Sequence, residues 1–212
     1  LRLDYVLGNK NGLFFQGDTA DYRELDALME RWENLMFVVD AGGDLVGSRA
    51  FAERWVGRVF LCYLTGDRKQ NELATWGSGD ESRKVVVDRN RIIQLVIDEF
   101  RNKRIRVHGT ESDWFEYWLD WNNLSKMKIL DPDTNELKGY KWIRNGRDHR
   151  AMATVFWRVG MMRFVGMGSI ITPMATPKAT SYMIEPNQTV SFDPKEFFDK
   201  LEEERESDWR NA

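Results

Sequence analysis

Leu35-Met36-Phe37-Val38-Val39-Asp40-Ala41-Gly42-Gly43-Asp44 is the stretch on which the fold turns. Five apolar residues run unbroken into Asp40, and two glycines follow close behind. A short continuous apolar run bounded by turn residues is the pattern of a strand buried on both faces. Asp40 then stands at the carboxyl end of that strand, the end at which ligands bind in open α/β sheets. Gly42 and Gly43 let the backbone turn sharply and leave the carboxylate uncovered. A lone strand-end Asp is often only a turn cap. A helix on either side of the strand and a second acidic cluster downstream favour a functional role for this one.

Upstream, Leu3–Asn9 and Leu13–Gly17 read as two strands around Asn9-Lys10-Asn11-Gly12, and Asn-Gly is a strong hairpin signal. Leu25, Leu28, Met29 and Trp32 then recur at helical spacing. Downstream, Ser48–Trp55 predicts a short helix stopped by Gly57, and Arg58–Leu64 a buried strand parallel to the first. Thr65–Ser82 reads as a loop with one edge segment around Ala74–Trp76, and Lys84–Val87 as a strand. Asp88 caps a helix whose stripe is Ile92, Ile93, Val96, Ile97 and Phe100. The spacing next predicts a short strand at Arg104–His108, an aromatic-rich helix at Asp113–Asn122, a turn-rich loop at Asp131–Gly139 and a strand at Tyr140–Arg144. Asp148 opens a helix to about Phe164, with Ala151, Val155, Val159 and Met162 on its inner face. Gly166–Pro186 is rich in Gly, Pro, Thr and Ser, the composition of an arm, and Pro194–Arg205 is a short acidic helix.

With 212 residues, 42% hydrophobic and 31% charged, the composition is that of a globular protein rather than a disordered one. It predicts one α/β domain over residues 1–165 and an appendage over 166–212. No apolar run approaches the roughly 20 residues needed to cross a bilayer, and no signal-peptide pattern is present, so neither membrane nor secretion is expected. The chain does not begin with Met, which suggests a fragment, a processed product or a domain cut from something longer. Cys62 is the single cysteine, which excludes an intramolecular disulfide and fits a reducing compartment. A net charge of −3 means that any DNA contact must come from local basic patches.

The second acidic cluster is Gly146-Arg147-Asp148-His149-Arg150-Ala151-Met152-Ala153. At the start of a helix, unpaired amides and the macrodipole favour the Asp148 charge, and capping alone would explain it. A strand-end carboxylate and a helix-opening carboxylate can also converge on one cation. Mg²⁺ and Mn²⁺ take such hard oxygen ligands together with waters and phosphates. Asp44 is a further candidate outer ligand, though Gly-Gly-Asp is equally a turn, and His149 could help hold a metal or a phosphate. Arg144, Arg147 and Arg150 flank Asp148 and are the candidate DNA contacts.

The order hairpin, helix, strand ending in Val-Val-Asp-Ala-Gly-Gly-Asp, helix, strand, then Arg-Asp-His-Arg-Ala-Met-Ala opening a late helix resembles the nuclease domain of tailed-phage terminase large subunits. The likeness covers about residues 3–164. It implies an RNase H/RuvC-like fold, with a mixed central sheet flanked by helices, that cuts double-stranded DNA with two Mg²⁺ or Mn²⁺ ions during genome packaging. Asp40 would be the family's second acidic ligand and Asp148 its third. The resemblance further implies a terminase ATPase domain, a portal and a small terminase subunit as partners, and the host cytoplasm as the location. No Walker A motif is present, so the ATPase lies outside these residues.

Two features depart from the family pattern. The family's first acid lies on a central strand upstream of the hairpin, and Leu3–Asn9 reads as the second strand, so that first strand is missing here. Asp4 is the only acid on the opening strand. Met152 stands where many relatives carry another Asp. The ligand count therefore predicts weak, Mn²⁺-favoured nicking or none. Other readings are a different RNase H-like nuclease or recombinase core, or a non-catalytic module docking on portal or motor partners.

Overall fold

The computed structural model describes residues 2–10, 12–66 and 72–166, with the side chains of 164–166 left out. The arm and acidic helix expected after Gly166 lie outside the described residues. In chain order the elements are β1 (Leu3–Asn9), β2 (Gly12–Thr19), α1 (Tyr22–Arg31), β3 (Phe37–Asp40), α2 (Leu45–Arg54), β4 (Val59–Thr65) and β5 (Ala74–Trp76). There follow β6 (Lys84–Asp88), α3 (Arg89–Arg101), α4 (Phe115–Asn122), β7 (Leu124–Leu130), β8 (Leu137–Arg144) and α5 (His149–Gly166).

The main sheet runs β3-β4-β6-β5, with β3, β4 and β6 parallel and β5 an antiparallel edge. This is the mixed α/β architecture read from the sequence, and β3 and β4 are the expected parallel neighbours. The β1-β2 hairpin is a separate antiparallel pair, and so is β7-β8. Side chains nevertheless alternate between two cores in the hairpin and the main sheet alike. Leu7, Phe37, Val59 and Leu61 join Leu25 and Met29 of α1 and Phe51 and Ala52 of α2. Val6, Cys62, Val85 and Val87 face the other way, onto α3, α4 and α5.

Phe51 is wholly buried, its ring 5.4 Å from that of Tyr22 and 5.9 Å from that of Phe37. Burying one such side chain contributes roughly 1.5–3 kcal/mol. Asp88 caps α3 as expected, its carboxylate accepting the Arg91 N–H at 3.0 Å. On α5, Ala151, Val155 and Val159 are fully buried. That helix packs against β1 and β3 as well as α3 and α4, which is why little of its surface is polar.

The structure differs from the sequence expectation in several places. Arg104–His108 is not a strand: it meets β2 at a single parallel bridge, Val107 to Leu13. Leu13 donates to the Arg106 carbonyl at 2.8 Å and accepts from His108 at 2.9 Å. Gly12 makes that approach possible. It sits at φ +135°, and a Cβ there would lie 2.2 Å from the Arg106 oxygen. Strand β7 was not foreseen, and β8 starts at Leu137 rather than Tyr140. Helix α2 opens at Leu45, three residues early, because Asp44 caps it. The aromatic helix is shortened by a 3-10 turn over Ser112–Trp114.

Candidate functional site

Asp40 ends β3 and is exposed. Its Oδ1 accepts the Gly42 N–H at 2.9 Å, an Asx turn that aims the carboxylate back over the two glycines. A Cβ at Gly42 or Gly43 would lie 3.3 or 3.5 Å from the Asp40 carboxylate oxygens, so glycine keeps that carboxylate uncrowded. Asp44 Oδ1 accepts the Gly47 N–H at 3.1 Å, so the turn-and-cap reading of Asp44 holds. Burial, reinforced by the Asp44 and Asp40 charges, pushes the Tyr22 hydroxyl up to about 12.

Asp148 directly precedes α5 and is buried. Arg144 Nη1 lies 3.7 Å from its Oδ1 and Arg89 Nη2 lies 4.0 Å from its Oδ2. These separations give charge attraction without good hydrogen bonds. His149 is exposed beside it. Asp40, Asp44, Asp148 and His149 line one cleft of about 670 Å³, with Arg89 and Arg144 on the same wall.

Asp4 lines that cleft as well, and its role went unread in the sequence. Its side chain is 1% exposed. Oδ1 lies 2.6 Å from Arg147 Nη2 and 3.4 Å from both Arg150 Nε and Arg2 Nη2. Oδ2 is buried without a hydrogen-bond partner among the described residues. Asp120 belongs to the same network: its Oδ2 accepts the Arg150 N–H at 2.7 Å, and Arg147 Nε lies 3.7 Å from its Oδ1.

Two of the three arginines expected at DNA are therefore turned inward. Arg147 and Arg150 neutralise Asp4 and Asp120, while Arg144, with 61% of its side chain exposed, stays on the rim. The aromatic helix is likewise spoken for. Trp114, Tyr117, Trp118 and Trp121 are core residues, and of the helix's apolar residues only Phe115 and Leu119 face outward. No described helix is long and apolar enough to cross a membrane.

Among the described residues no group of three His, Cys, Asp or Glu side chains comes together to hold a metal. Two carboxylates on one cleft suit a single hard cation with water and phosphate completing its shell. The pair of ions implied by the resemblance needs more carboxylate than that. The chain matches no protein-family profile, no curated protein and no solved structure.

Proposed function

We propose that the chain is the DNA-cutting domain of a phage genome-packaging terminase, an RNase H-like fold acting in the host cytoplasm on double-stranded DNA. The observation that carries this reading is that Asp40, at a strand's carboxyl end, and Asp148, at a helix start, line the same cleft. In sequence they lie where the resemblance puts two of its acidic ligands.

Asp40 is the better cation ligand, since it is exposed and spends one oxygen on a single backbone N–H. Asp148 would exchange its loose contacts with Arg89 and Arg144 for the cation, freeing Arg144 for phosphate oxygens while Arg89 keeps its bond to the Trp142 carbonyl. Arg144 is placed to take the backbone of approaching DNA. Bound there, Mg²⁺ or Mn²⁺ would neutralise phosphate charge and lower the pKa of a bound water. The ATPase domain, portal and small subunit are partners by resemblance alone.

Calorimetric titration with Mn²⁺ tests the reading. One site is expected, lost in both Asp40→Asn and Asp148→Asn, with weak Mn²⁺-favoured nicking of supercoiled plasmid that Asp40→Asn abolishes. Mn²⁺ binding that survives both substitutions, or strong Mg²⁺-dependent cutting indifferent to Asp40→Asn, sinks it.

A further inference from the structure

Among the described residues no hydrogen bond holds the Asp148 carboxylate, which meets Arg144 at 3.7 Å and Arg89 at 4.0 Å. Its direction is therefore set by the backbone that carries it. That backbone is gripped from the end of α4. Asn123, the residue directly after α4, donates from Nδ2 to the Arg147 carbonyl at 2.7 Å. This carbonyl lies in the same rigid peptide plane as the Asp148 nitrogen. Asp120, in the last turn of α4, accepts the Arg150 N–H on Oδ2 at 2.7 Å. The two held peptide planes bracket Asp148 and His149, and the Met152 N–H closes the first turn of α5 onto the Asp148 carbonyl at 2.9 Å.

Asn123 also stands where the β7-β8 excursion begins and ends. The chain leaves α4 at Asn123, and Leu124 pairs with Arg144 on the returning strand. The Asn123 carbonyl accepts the Asn145 N–H at 2.8 Å, which closes the base of the hairpin. Gly146 then passes directly over the Asn123 amide, where a Cβ would lie 2.8 Å from both Cγ and Oδ1. A side chain at 146 would push that amide off the Arg147 carbonyl. Behind Asn123, α4 is a firm support. Trp118 and Trp121 meet the Phe100 ring edge-on at 5.6 and 5.7 Å, and the Tyr117 hydroxyl bonds the Thr154 hydroxyl at 2.8 Å.

We propose that Asn123 is a positioning residue that aims the Asp148 carboxylate into the cleft, with Gly146 leaving room for its amide and Asp120 fixing the far side of the same turn. The aromatic helix thus serves the site from behind, through its polar end. The role rests on the reading of Asp148 as a cation ligand. Groups that orient a metal ligand from behind are worth about 10–100-fold in metal affinity, because a ligand atom must be held close to its productive place.

The test measures Mn²⁺ affinity by calorimetry on the 212-residue chain, with thermal melts alongside. Asn123→Ala and Gly146→Ala are each expected to weaken Mn²⁺ binding about tenfold. Combined, they are expected to cost about tenfold still and not a hundredfold, because the new methyl then has no amide to displace. Tyr117→Phe removes a different bond between α4 and α5, while Thr154 keeps its bond to the Arg150 carbonyl at 3.2 Å. That variant is expected to melt earlier and to bind Mn²⁺ as wild type does. If wild type binds Mn²⁺ and Asn123→Ala binds it equally well, the positioning role falls and the ligand reading stands. A hundredfold loss in the double variant, or an equal loss in Tyr117→Phe, also overturns the role, since the effect is then one of general packing. A wild-type chain with no Mn²⁺ site overturns the ligand reading and this role together.

Discussion

Arg158 of α5 grips Glu99 of α3 through both carboxylate oxygens, Nε to Oε2 at 2.5 Å and Nη2 to Oε1 at 2.7 Å. The two helices meet beneath the sheet, and the Glu99 side chain is 10% exposed. Removing one partner of such a pair strands the other charge, at a cost of about 3 kcal/mol. Glu99→Leu should lower urea stability by that order, and adding Arg158→Leu should recover most of it. Additive losses in the double variant would show that the pair does not act as a unit.

Arg144 and Arg150 should separate cleanly. Arg144→Ala is expected to weaken duplex DNA binding, reduce the salt slope by about 0.9 for one lost phosphate contact, and leave thermal stability unchanged. Arg150→Ala is expected to unfold the chain more readily, because it takes the guanidinium from beside Asp4 and removes one of the positive charges acting on Asp120, while the backbone N–H to Asp120 stays. Salt-dependent binding and melting curves on both variants check this. The reverse pattern would return Arg150 to the DNA interface.

Asp120 gives the chain a pH signature. Burial raises its pKa, outweighing the Arg150 amide and the Arg147 and Arg150 charges that lower it. The folded carboxyl therefore keeps its proton to higher pH than the unfolded one, whose pKa is about 3.9. Between that value and the raised one the native state binds more protons, so stability from this group falls as pH climbs. Asp120→Asn keeps an oxygen for the Arg150 N–H and should remove that fall. Unfolding free energies from pH 4 upward should show wild type losing ground to the variant. Parallel curves would place the shift elsewhere.

Gly47 is wedged between the Asp44 cap and the Tyr22 ring. A Cβ there would lie 2.3 Å from Asp44 Oδ2 and 2.4 Å from Tyr22 Cε2. Overpacking costs about 1–3 kcal/mol, more than the up to about 1 kcal/mol that alanine gains over glycine in a helix. Gly47→Ala should be net destabilising in a melt despite the better helix former.

Cys62 is fully buried in β4, and burial together with the Asp40 charge pushes its thiol pKa well up. A protonated, inaccessible thiol is inert. Ellman's reagent should label it only as the chain unfolds, at the unfolding rate. Rapid labelling of the native chain would mean that β4 opens locally.

The sequence carries strong local signals for β3, β4 and α3: unbroken apolar runs, a glycine stop, and Asp88 ahead of an apolar stripe. Strand β7 gave no such signal. Lys126 and Met127 are both exposed, and its order comes from pairing with β8 rather than from a buried face. Residues 104–108 misled for the opposite reason, having strand composition but only Leu13 to bond. Of the site, Asp40 was legible because its neighbours in sequence are its neighbours in space. Asp4 was not: an acid inside a strand reads as a solvent-facing residue until the arginines that bury it are brought over it. Arg147 and Arg150 misled in the same way, since a charge beside Asp148 in sequence turns inward in the fold.

Asp4 and Arg147 stand 143 residues apart in the chain. Ribosomes add about 5–20 residues per second, so β1 emerges roughly 7–30 seconds before its main counter-charge has been made. Throughout that interval the Asp4 carboxylate must remain in water, and the hairpin cannot settle into its final seat. The unit from β3 to α3 can pair its strands and pack α2 sooner, since these elements follow one another closely, although one face of its sheet also waits for α5. During synthesis the α1–α2 side of the sheet can therefore close early, whereas the opening strand and the inner face both depend on the last described helix.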